Sequence, residues 1–114
     1  MLISSKTIEK AADRIKPYII NTYLERSHFF SKYIGGDVWL KLENLQVTGS
    51  FKARGAMNKV LCLPRKERPS GIVSASTGNH GAAVAYAARQ LDIKCNLFVP
   101  QNSSEAKIAN MENF

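Results

Sequence analysis

From Asp37 onward, short apolar runs alternate with longer stretches at helical spacing, and this rhythm constrains the fold more than any other feature of the 114-residue chain. "DVWLKLE" sets Val38, Leu40 and Leu42 against Trp39 and Lys41, the period of a strand with one more buried face. After the loop "NLQVTG", residues 50–61 read as a helix. "GIVSAS" is a short apolar strand, and "AAVAYAARQL" an alanine-rich helix. "CNLFV" is a buried strand closed by Pro100, and "SSEAKIANMENF" a helix opened by capping serines. Strand, helix, strand, helix, strand, helix predicts a parallel sheet joined by right-handed crossovers. The expected class is α/β, with three α/β/α layers and short parallel strands.

The residues before Asp37 are less regular. Ser4 or Ser5 can cap a helix in which Ile8, Ala11, Ala12 and Ile15 recur at helical spacing, bounded by Pro17. Residues 18–33 show weaker patterning, with a short helix around residues 25–33, and Gly35-Gly36 is a break.

Several function classes are excluded on bulk grounds. No apolar run approaches the roughly 20 residues of a membrane span, and the N-terminus turns charged too early for a secretory signal. A cytoplasmic protein with no membrane partner is expected. The net charge of +7 invites a nucleic-acid reading, but only "RKER" clusters. It lies between Pro64 and Pro69 without aromatics for base stacking, so a solvated loop and no nucleic-acid partner are expected. Cys62 and Cys95 form no metal or redox spacing, and Cys95 sits in an apolar run as a small core residue. No histidines or carboxylates have ligand spacing, so no metal is expected, and His28 reads as structural.

Two loops follow strand ends, where parallel sheets collect ligands. In "ENLQVTGSFKARGA", Lys52 lies just inside a helix after a strand-end loop, which makes it a candidate for presentation to a ligand. In "STGNHG", Ser76, Thr77, Gly78, Asn79, His80 and Gly81 leave a strand and open a helix. The first helix amides have no internal acceptors, and the helix dipole favours an anion there. A carboxylate or phosphate site and a plain capped turn are both compatible with this loop alone. It matches neither the dinucleotide fingerprint nor a Walker loop.

Together the two loops resemble the serine/threonine dehydratase family, pyridoxal-phosphate enzymes of the tryptophan-synthase-β-like fold (fold type II). The lysine motif is matched at Glu43, Thr48, Ser50, Phe51, Lys52, Arg54 and Gly55, and the later Ser-x-Gly-Asn-His loop at Ser76, Gly78, Asn79 and His80. The form "KLENLQ.TGSFK.RGA" looks most like threonine dehydratase and its serine-acting relatives, since cysteine synthases carry an acidic residue where this chain has Ala53.

The resemblance implies pyridoxal 5′-phosphate held by Lys52 as a Schiff base, with Phe51 against the cofactor ring and Asn79 on its phenolic oxygen. It implies a substrate carboxylate on Ser76, Thr77, Gly78, Asn79 and His80. The implied reaction is β-elimination from a small hydroxy amino acid, giving a 2-oxo acid and ammonia, with Lys52 as the catalytic base. Serine racemase, another β-eliminating enzyme of the same fold, and an inactive truncated module are the alternatives.

By the same resemblance, residues 1–47 belong to the family's larger domain and residues 48–114 to the smaller α/β domain. The glycine-rich phosphate loop of the family is not among the 114 residues, so an N-terminal fragment is expected. Its uncovered apolar face makes a homo-oligomer the expected state. Tyr23 in "NTYLERS" stands where the family usually has proline.

Overall fold

The computed structural model describes residues 3–114. Helix α1 (Ser5–Ile15) is capped by Ser4, which exchanges hydrogen bonds with Thr7 in a capping box. Of the expected apolar face only Ile15 is buried, while Ile8 is 59% exposed, so α1 meets the core with its last turn. Strand β1 (Leu24–Arg26) and helix α2 (His28–Ile34) occupy the stretch expected to hold one short helix. Ser27 caps α2, and Gly35 ends it in the left-handed conformation at φ 71°.

Strand β2 (Trp39–Lys41) corrects the sequence reading. It is not part of the parallel sheet but pairs antiparallel with β1, Glu25 opposite Leu40. Alternating hydrophobicity shows that a strand has two faces without showing which strand it pairs with.

Helix α3 (Lys52–Leu61), strand β3 (Ile72–Ala75), helix α4 (Asn79–Gln90), strand β4 (Cys95–Phe98) and helix α5 (Glu105–Glu112) follow in the expected order. β3 and β4 pair in parallel, Ile72 opposite Cys95 and Ala75 opposite Phe98. Ser104 stands at the start of α5 without the expected side-chain cap.

The core forms where α3, α4 and the last turn of α1 meet. Ile15, Ala56, Met57, Val60, Ala83, Val84 and Ala87 cluster there. The alanines let the helix backbones approach closely, and Met57 fills the remaining gap with no exposed surface. Ile72, Leu97 and half-buried Cys95 pack against this cluster from one face of the parallel sheet. The opposite face keeps Val73 and Phe98 about two-thirds exposed, at 67% and 65%. Among the described residues this face of the parallel sheet is left largely uncovered. Side-chain bonds from Arg14 to Asn58 and from Tyr86 to the Tyr18 carbonyl fasten the N-terminal segment onto α3 and α4.

Candidate active site

The lysine loop is built before the lysine. A 3-10 turn at Glu43–Leu45 follows β2. From it, Glu43 reaches forward to Arg54 in a forked pair, with Arg54 Nε donating to Oε2 at 2.8 Å and Nη2 to Oε1 at 2.7 Å. Oε1 also accepts the Thr22 hydroxyl at 2.6 Å. Arg54 holds the Glu43 carboxyl at about 2, below its ordinary 4.5, against the opposing effect of burial. Hydrogen bonds from Thr22 and the charge of Lys41 act in the same direction as Arg54.

Gln46, buried, grips the Ile20 backbone on both sides. Its Oε1 accepts from Ile20 N at 2.8 Å and its Nε2 donates to the Ile20 carbonyl at 2.9 Å. Gly49 takes the left-handed conformation that turns the chain into α3. The Thr48 hydroxyl, in the same loop, is buried without a hydrogen-bond partner among the described residues.

Lys52 is the first residue of α3. Its amide donates to Ser50 Oγ at 3.4 Å, and its side chain is exposed, Nζ lying 5.2 Å from the centre of the Phe51 ring. A cavity of about 550 Å³ opens beside it. Phe51, Lys52, Lys59, Ser74 and His80 are among its lining residues, and no carboxylate side chain is. The cavity thus joins α3, the start of α4 and strand β3, with two lysines of α3 in its lining and no group of opposite sign.

The "STGNHG" loop is placed at the end of β3, as expected, and opens α4 from Gly78. Ser76 Oγ accepts from Gly78 N at 3.3 Å and from Gly81 N at 3.1 Å. The capped-turn reading is therefore realised in part. Those two bonds occupy the oxygen's acceptor capacity and leave the Ser76 O–H proton as a donor. Among the described residues, the amides of Thr77, Asn79 and His80 have no hydrogen-bond acceptor, as expected of a helix start. Of the expected site residues, the cavity brings together Phe51, Lys52 and His80. Ser76, Thr77, Gly78 and Asn79 border the α4 start but do not line it.

Sequence reasoning missed Ser74 and Lys59 as cavity residues, because helical and strand patterning does not show which faces meet. It named Glu43 and Arg54 as motif positions without their pairing, since the sequence separation of 11 between them spans a turn. Tyr23 is 70% exposed and uses its carbonyl, which accepts from Leu42 N. Proline offers the same carbonyl, so the departure from the family pattern leaves this contact intact.

Among the described residues, no group of three or more histidines, cysteines or acids is arranged to hold a metal ion. No helix among them is long and apolar enough to cross a membrane.

Comparison with known proteins gives a consistent answer. The model of the pyridoxal-phosphate dependent enzyme family matches residues 15–114. A catabolic L-threonine dehydratase of Staphylococcus aureus (strain USA300) is 44% identical over 107 residues, covering 93% of this chain and 31% of the relative. An L-threonine ammonia-lyase of Thermotoga maritima is 40% identical over 112 residues, covering 98% of this chain and 28% of the relative. The crystal structure of serine racemase from Dictyostelium discoideum superposes with a TM-score of 0.91 at 36% identity, covering 97% of this chain and 36% of the other. The chain spans about a third of the length of the curated relatives it matches.

Proposed function

Because the chain belongs to the pyridoxal-phosphate dependent enzyme family, we propose that it is the lysine-bearing part of a threonine or serine dehydratase, which deaminates a β-hydroxy amino acid to a 2-oxo acid and ammonia. One observation carries the reading. Within a Ser-Phe-Lys-x-Arg-Gly run, Lys52 starts a helix beside a cavity that it shares with His80 of the Ser-x-Gly-Asn-His loop. The 40–44% identity to threonine-deaminating relatives supports the choice of reaction.

The residues suit the family's cofactor. A primary amine is the group that can carry the aldehyde of pyridoxal 5′-phosphate, and the cavity of about 550 Å³ has room for a pyridine ring. Its lining offers an aromatic face from Phe51 and positive charge from Lys52 and Lys59, with no carboxylate side chain to repel an anionic ligand. When bound, the cofactor supplies an electron sink for the substrate α-carbon. In this reading Phe51 packs against the ring and Asn79 donates to its phenolic oxygen.

Lys52 Nζ takes the α-proton, as a free primary amine can. The Ser76 hydroxyl and the amides of Thr77, Asn79 and His80, at the positive end of α4, hold the substrate carboxylate. Loss of the β-hydroxyl follows removal of the α-proton. The same reading assigns residues 1–47 to the larger and 48–114 to the smaller domain of the whole protein, a cytoplasmic homo-oligomer.

The likeness to serine racemase supports a second reading, racemisation, which begins with the same proton removal at Lys52. Product analysis separates the two. Release of 2-oxobutanoate from L-threonine, dependent on added cofactor and lost in Lys52→Ala, supports the dehydratase. Formation of the D-amino acid without a 2-oxo acid supports the racemase. Turnover of neither substrate leaves a non-catalytic binding module.

A further inference from the structure

We propose that Glu43 and Arg54 act as a positioning clamp for Lys52, holding the first turn of α3 against the Ile20–Thr22 segment; the role rests on Lys52 being the cofactor lysine. The start of α3 is weakly secured by its own residues. Phe51 at the cap position offers no side-chain bond, the first turn has no acidic residue, and the Ser50 bond to Lys52 N is long at 3.4 Å. An exposed lysine on such a turn would sample many positions.

What holds the turn comes from outside it. Arg54, two residues after Lys52, is fixed by two charge-assisted bonds to Glu43, whose side chain is only 16% exposed. Glu43 is fixed in turn by Thr22, itself 5% exposed, and the Thr22 carbonyl accepts from Lys41 Nζ at 2.6 Å. Gln46 repeats the connection one turn on, with both of its side-chain amide groups on Ile20. The run "ENLQ" therefore staples the N-terminal segment to the helix that presents Lys52. None of these side chains lines the cavity. Glu43 and Arg54 are accordingly positioning residues that act through Lys52, and not groups that touch substrate.

The test follows amide exchange along the 114-residue chain by mass spectrometry, without cofactor, in wild type, Glu43→Gln and Arg54→Lys. The clamp predicts exchange about tenfold faster in the first turn of α3, with residues 82–88 of α4 unchanged. In parallel, pyridoxal 5′-phosphate with borohydride labels lysines, and the ratio of label at Lys52 to label at exposed Lys66 is expected to fall about fivefold in both variants.

Unchanged exchange at residues 52–55 overturns the clamp, as does protection lost equally in α4, which marks Glu43 as a general support of the fold. Should Glu43→Gln fail to fold, Thr22→Val removes a single bond to Glu43, and a smaller shift confined to the same turn is expected. If wild-type chain takes no label at Lys52, the reading of Lys52 fails while the exchange result still decides whether its turn is clamped.

Discussion

Arg54 holds both carboxylate oxygens of Glu43, at 2.7 and 2.8 Å, across the loop that delivers Lys52 to the start of α3. The pair joins the residues before and after the lysine motif's central glycine, so the loop is closed by charge as well as by turns. Its consequence for stability can be read with pH. The Glu43 carboxyl is lowered in the folded chain to about 2 from 4.5. A lowered folded value gives stabilisation that is complete above 4.5 and lost as pH falls toward about 2. The shift has an upper limit of roughly 3 kcal/mol, which partial solvent access reduces to about 1–2 kcal/mol. Urea unfolding from neutral to acid pH should show that loss, and Glu43→Gln should flatten it.

The Ser76 hydroxyl serves two amides, Gly78 N and Gly81 N, and both lose their acceptor in Ser76→Ala. A cost of about 1–2 kcal/mol is expected in thermal unfolding, together with weaker binding of carboxylate ligands. Ser76→Thr keeps the oxygen and should recover most of the stability.

Much of this loop was legible in the sequence, because strand, glycine and alanine-rich helix follow one another without a gap. The same holds for α3, β3 and β4, whose apolar periods are long or tightly bounded. The partner of β2 was not legible. β1 is three residues, all exposed, with no apolar alternation to mark it. Nor could periodicity show that Ser104 leaves its helix uncapped by a side chain, or that Glu43 meets Arg54 across a turn. The motif named the residues of the site, and only the packing of α3 on α4 and β3 showed which of them share a cavity.

Gly71 has φ 80°, and a Cβ placed there would sit 2.9 Å from the Lys94 carbonyl oxygen. Gly71→Ala should therefore destabilise by about 2 kcal/mol or more, from left-handed strain and a backbone clash together. Gly55, inside α3, has open space where a Cβ would be added, with nothing within 4 Å. Gly55→Ala is expected to raise stability by up to about 1 kcal/mol. Thermal melts of the two variants should move in opposite directions.

Thr48 buries a hydroxyl with no partner among the described residues. Thr48→Val replaces that group with a methyl of similar shape, and the change is expected to be neutral or stabilising by up to about 1 kcal/mol in urea unfolding.

Lys52 as the cofactor lysine is the claim on which the functional reading depends. Its most direct test is the absorbance spectrum of the chain with pyridoxal 5′-phosphate, followed by borohydride reduction and peptide mapping. The reading predicts a band above about 400 nm, absent in Lys52→Ala, and a reduced adduct concentrated on Lys52. A band that persists in Lys52→Ala, or an adduct spread over the exposed lysines without preference for Lys52, would contradict it.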